Sequence, residues 1–202
     1  MEYLNFVTLR KPFSNFLIIL ISFLSLSACA QYPSVEWQIS TAVLACPEEF
    51  REHSTVLGYR EKGVLEVLRS GTNNMICLAD NPETDGFNVS SYHSDLEPFM
   101  KRGRELTTQG FDFKTIFDIR ESEAKSGALK MPSRATLYVL SGDINDQNKE
   151  IENTYLRYVI YIPFATPEST GLPTKPAIPS EPWIMDPGTH RAHIMISPQR
   201  KK

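Results

Sequence analysis

Several common signatures of chemistry are absent from this chain. There is no CxxC pair, which removes the motif of a thioredoxin-like redox role. No HExxH pattern occurs, and with it goes the strong form of a zinc-protease reading. Phosphate-cradling loops of the P-loop or dinucleotide type are missing too, as are internal repeats at solenoid or propeller periods. Basic residues are not in excess: 21 Lys and Arg stand against 24 Asp and Glu. Beyond residue 28 the balance is 19 to 23, a net charge of −4, which argues against nucleic acid as a partner, since that would call for a clustered basic face. The longest apolar run, Phe13 to Ala28, has 16 positions. A helix needs about 20 to cross a bilayer, so a permanent transmembrane anchor is disfavoured.

What that run does resemble is an export signal. Arg10 and Lys11 precede it and small residues end it, the build of a secretory leader rather than of a domain core. Leu26-Ser27-Ala28-Cys29 resembles the bacterial lipobox, which implies a lipoprotein: acylation of Cys29, palmitate included, and cleavage before it. Ala30, rather than Asp, is the pattern of lipoproteins passed to an outer membrane, on its periplasmic side, if the host has one. Acyl chains would then hold the chain at the membrane by burying methylenes at about 0.8 kcal/mol each. Ala28-Cys29-Ala30 also fits an ordinary small-x-small cleavage site, which would release a soluble chain beginning at Gln31.

Three cysteines leave an odd one in an oxidising compartment. Lipidation of Cys29 would consume it and leave Cys46 and Cys77 as a pair. Export makes a Cys46 to Cys77 disulfide the expectation, worth roughly 3 to 4 kcal/mol for a loop of that length. Two buried free thiols, acting as small hydrophobes, are the alternative.

The rest of the chain divides into a tether (29–36), a domain (37–198) and a basic tail (199–202). Trp37 to Ala45 reads as a short helix, and Pro47-Glu48-Glu49 as the start of another. Thr55–Tyr59, Val64–Leu68 and Met75–Leu78, separated by turns at 60–63 and 71–74, have the period of an antiparallel meander. Phe87–Ser91 is a further short strand. Ser94-Asp-Leu-Glu97 has the form of a capping box opening a helix that Gly110 ends, with Glu97 and Lys101 paired outside. A second helix runs from Asp112 to Ser126, with Gly127 as its stop. Strands follow at 135–140 and 154–162; in the latter Leu156, Tyr158, Ile160 and Ile162 are expected to face the helices. Pro173, Pro176, Pro179 and Pro182 share the spacing of a polyproline II helix, which predicts a stiff strap over the sheet anchored by Trp183 and Met185. His193–Ile196 is the last strand. The fold class is α+β: one domain, an antiparallel sheet, two central helices packed on one face and a proline-rich C-terminal strap.

Candidate chemistry is sparse. His190-Arg-Ala-His193 would put two imidazoles on one face of a helix, where a metal could be shared, but in a strand odd spacing separates them. His93, beside Asp95 and Glu97, is a third candidate ligand. Ser169, in Glu168-Ser-Thr-Gly171, is a candidate nucleophile without the strand-elbow-helix context of G-x-S-x-G. No cofactor is indicated. The segments Val56–Tyr59, Gly71–Asp80, Tyr92–Gly103, Pro163–Gly171 and Ala192–Met195 resemble a group of exported bacterial proteins with no assigned activity. The expectation is a lipid-anchored cell-envelope protein that binds or supports, its partners being the membrane through Cys29 and an envelope protein or small ligand. The rival is an envelope hydrolase, metal-dependent or not, using His193 and His93.

Overall fold

A computed structural model describes residues 32–145 and 147–200. The expected leader with Cys29, and the last two tail residues, lie outside the described residues. The order of elements is α1 (Val35–Ala42), a 3-10 turn (Val43–Ala45), α2 (Glu48–Arg51), β1 (Thr55–Glu61), β2 (Val64–Arg69), β3 (Met75–Leu78), β4 (Phe87–His93), a 3-10 turn (Ser94–Leu96), α3 (Glu97–Thr108), α4 (Phe113–Ser126), β5 (Ala135–Ile144), β6 (Ile151–Tyr161), α5 (Pro167–Thr170), β7 (Trp183–Met185) and β8 (His193–Ile196). The protein is α+β with a single sheet of eight strands, in the order β2-β1-β3-β4-β5-β6-β8-β7. No helix among the described residues is long and apolar enough to cross a membrane.

The sheet is mixed, not wholly antiparallel. β3 lies on the far side of β1 from β2 and pairs with it in parallel, Val56 opposite Cys77. The simple meander fails because the chain after β2 passes tightly across the start of β1. The amides of Thr72 and Asn73 both donate to the His53 carbonyl, and the Gly71 amide donates to Thr55 Oγ1 at 3.1 Å. Only glycine fits at residue 71: a Cβ there would stand 2.3 Å from the Thr55 nitrogen.

Local signals start and stop the elements. Ser34 caps α1, accepting from the Trp37 amide, so the helix begins before Trp37 and shortens the tether. Asp112 accepts from the Thr115 amide at 2.7 Å, and Gly127 ends α4 in the left-handed conformation. At α3 the capping box does not form. His93 Nδ1 accepts the Asp95 amide instead, while the Glu97 carboxylate is drawn to Arg104 and to the Tyr92 hydroxyl, each at 2.6 Å. Two charge-assisted bonds to a partly buried carboxylate outweigh one exposed cap, and Lys101 is not its partner.

Register sorts the core into two faces. Tyr92, Leu137, Val159 and Met195 are successive cross-strand partners and belong to one cluster with Leu96, Phe99 and Tyr161. Val56, Cys77 and Ser91 form another row. On that opposite face Val56 and Cys77 cluster with Ala42 and Cys46, and Phe87, Val89 and Leu140 with Ala45. The N-terminal helical stretch thus takes the face that α3 leaves. β6 reverses the expected assignment: Val159 and Tyr161 point into the cluster with Phe99, and Tyr158 is 38% exposed. A strand apolar on both sides carries no periodic signal for which side is inward, and a one-residue shift inverts every side chain.

The expected Cys46 to Cys77 disulfide is absent: both are free, buried thiols. Cys77 lies 3.4 Å from Ser54 Oγ and 3.6 Å from Ser91 Oγ, so a small polar network holds it. The Cys46 thiol hydrogen-bonds to Cys77, which pushes Cys46 up, and burial adds to this. The same bond, with the two serines, makes Cys77 the more acidic of the pair. In the proline-rich segment the backbone bends at 174–175 and 177–178 and turns at 179–180, with Ser180 in the left-handed region and its amide on the Ser197 carbonyl. One straight polyproline helix is not what these residues form.

Candidate functional site

The start of β3, the end of β4 and the start of β5 share one end of the sheet, where α2 stands beside them. Between these elements opens a pocket of about 390 Å³. His93, Thr136 and Tyr138 line its floor, all on the face opposite Tyr92 and Leu137. Phe50, 41% exposed, forms one wall. The turn of Thr72, Asn73 and Asn74 forms another. Asn73 is a structural tie: its Nδ2 donates to the Phe50 carbonyl at 2.8 Å and its Oδ1 accepts the Met75 amide at 2.9 Å. His93 is oriented in a similar way, since Nδ1 accepts the Asp95 amide at 3.2 Å; Nε2 is the ring's other polar atom. Tyr138 packs edge-on against Tyr158, centroids 6.0 Å apart, so an aromatic surface continues from the pocket onto β6. No Lys, Arg, Asp or Glu lines the pocket. Hydroxyl, amide and imidazole groups among aromatic faces suit an uncharged polar ligand, bound by hydrogen bonds and ring stacking.

The other two candidate histidines, His190 and His193, lie elsewhere. His193, on β8, shares a face with Met195 and so with Val159 and Tyr92; His93, the neighbour of Tyr92, is therefore on the opposite face of the sheet. His193 is 4% exposed, with Nδ1 2.5 Å from the Arg191 carbonyl and its ring stacked on Tyr161. His190 is wholly buried in the turn before β8. Its Nδ1 is 2.6 Å from Glu121 Oε2, and its backbone amide donates to the same oxygen at 2.8 Å. Lys125 holds the other Glu121 oxygen at 2.7 Å, and the rings of Phe99 and Phe117 enclose the imidazole.

Electrostatics follow from this packing. Burial works against the Glu121 carboxylate, but the His190 amide, Lys125 and the His190 ring together hold its pKa down to about 2. Burial lowers that of His190, and the pull of Glu121 does not offset it. The ring is accordingly neutral, with Nδ1–H donating to Glu121 and Nε2 buried without a partner. Beside it Arg120 lies over the Phe99 ring at 4.1 Å, and desolvation brings its pKa down to about 10.

His190 and His193 thus share the α3–α4 side of the sheet, and His93 does not join them. Among the described residues no group of three His, Cys, Asp or Glu side chains is arranged to hold a metal ion. Ser169 closes a capping box on α5, its hydroxyl accepting the Thr166 amide at 2.9 Å while its own amide donates to Thr166 Oγ1 at 3.3 Å. Sequence reading had no access to Glu121 or Tyr138: the first is 69 residues from His190, and the second reads simply as a strand residue. Set against known proteins, the chain matches no family model, no curated protein and no solved structure.

Proposed function

We propose that this chain is a lipid-anchored protein of the bacterial envelope whose folded domain binds a small uncharged, hydroxyl- or amide-bearing ligand. The pocket of His93, Thr136 and Tyr138 carries the reading: it is open, aromatic and hydrogen-bonding, and no charged residue lines it. Anchoring is the contribution of the lipobox-like leader and Cys29, with export and attachment to the membrane as its consequence; the likeness to exported bacterial proteins belongs to the same reading. In it α3 and α4 act as the cover of one sheet face and the proline-rich segment as a strap ending at Trp183. Against the hydrolase reading weighs the sheet itself, which stands between His93 and His193. The Nδ1 atoms of His190 and His193 are held by Glu121 and by backbone.

The test is a titration of the full chain with neutral saccharides and short amides, followed by the amide signals of Asn74 and Thr136 and by Tyr138 fluorescence. Saturable shifts confined to the pocket and lost in Tyr138→Ala support the proposal. Uniform or non-saturating shifts would overturn it.

A further inference from the structure

The floor of the His93 pocket continues beyond it. Directly paired residues of neighbouring antiparallel strands lie on one face of a sheet, so the floor can be followed from strand to strand. Ser91, Tyr138, Tyr158 and Ile196 are successive partners across β4, β5, β6 and β8. Thr136, Ile160 and Ile194 make a second row beside them. The N-terminal helical stretch covers this face as far as Tyr138 and Leu156, which pack against its clusters. Beyond them Tyr158, Ile160, Ile194 and Ile196 join no buried cluster among the described residues. Tyr158 is 38% exposed, and the three isoleucines are only partly buried. Strands lie about 4.8 Å apart, so the band from β4 to β8 crosses three spacings, about 14 Å, which is wider than one sugar ring.

The chemistry of the band narrows what can lie on it. None of these strand positions is charged: Arg157, between Leu156 and Tyr158, pairs with Val139 and so lies on the α3 side. Its polar groups are hydroxyls. Those of Thr136, Tyr138 and Tyr158 hydrogen-bond to no other group among the described residues, and the two tyrosine rings meet edge-on with centroids 6.0 Å apart. A wholly apolar occupant would leave these hydroxyls without partners. A charged one would lose hydration and find no opposite charge. Tyrosine joins an apolar ring to a polar tip, and a neutral sugar has the same division, with C–H faces that stack and hydroxyls at its rim.

We infer that the ligand is an uncharged glycan chain of at least two sugar units, one seated in the His93 pocket and the next on Tyr158. The inference rests on the proposed reading of that pocket as a ligand site and extends it along the sheet. Tyr158 then acts as a second subsite, which a single sugar in the pocket does not use.

The test is a calorimetric titration of the full chain with N-acetylglucosamine and with its β-1,4-linked dimer, trimer and tetramer, which carry hydroxyls and amides but no charge. Affinity is expected to rise roughly ten-fold from the monomer to the longer chains. Tyr158→Thr, a residue that suits a strand, should remove that gain and leave monomer binding unchanged, while Tyr158→Phe, which keeps the ring, should retain most of it. A native protein that binds all lengths equally overturns the second subsite and leaves the pocket reading standing. So does a gain with length that survives in Tyr158→Thr. Binding of N-acetyl-tetra-alanine amide without binding of any of the sugars overturns the inference in favour of a peptide, again leaving the pocket. A chain that binds neither sugars nor amides sinks the pocket reading and this inference together.

Discussion

Glu121 and His190 meet twice: one carboxylate oxygen accepts from both the ring Nδ1–H and the backbone N–H of the same residue, at 2.6 and 2.8 Å. The pair pins the turn before β8 to α4. His190 is fully buried, so the contact is made out of water, where a lost partner leaves a bare donor behind. Glu121→Ala is expected to lower stability by about 2 to 4 kcal/mol and Glu121→Gln by less, because the amide oxygen still serves one donor. Urea unfolding checks this; a midpoint unchanged in Glu121→Ala would contradict it.

The same pair gives stability a pH dependence. Burial holds His190 and His193 below the ordinary histidine value of 6.5, so as pH falls through 6.5 the unfolded chain takes up protons that the folded one refuses. Stability should be level above 6.5 and decline below it. Glu121 adds a second decline: its carboxyl, ordinarily at 4.5, is held to about 2 in the fold, so its contribution is present above 4.5 and lost toward 2. Urea midpoints at pH 7.5, 5.5 and 3.5 should fall in that order, and a rise between 7.5 and 5.5 would refute the sign.

Gly71→Ala should be among the most damaging single changes. Its new methyl would stand 2.3 to 2.5 Å from backbone atoms of Thr55, Ser54 and His53, none of which can swing aside as a side-chain tip can. A loss of about 3 kcal/mol is expected from the overpacking, with a lowered melting temperature as the readout.

Cys46 and Cys77 should behave as protected thiols. The chain's mass is expected to be the same with and without reductant, and both cysteines should react with Ellman's reagent only after unfolding. A loss of two hydrogens in the untreated protein would mean that the sulfurs close a bond after all.

How far the sequence reached can be seen strand by strand. β4, β5 and β6 extend beyond their expected bounds, and β7 carries no signal in its three residues, because its formation depends on β8 beside it. The pocket was hardly visible: His93 stood out as a histidine, but nothing near it in the chain announces Phe50 or Tyr138, which arrive from other elements.

The sequence by itself determined the local punctuation. Asp112 and Gly127 bound α4 because a cap is a bond to an amide three residues on, and a left-handed stop needs only a missing Cβ. It determined the strand character of β1, β2, β3 and β8 through β-branched and apolar content. Tertiary structure decided everything that hangs on register. It placed β3 beside β1, turned Tyr161 rather than Tyr158 inward, set His93 and His193 on opposite faces, and gave His190 a carboxylate 69 residues away. Side-chain direction along a strand repeats every two residues, so where both sets are apolar only the long-range fit of the whole sheet can choose between them.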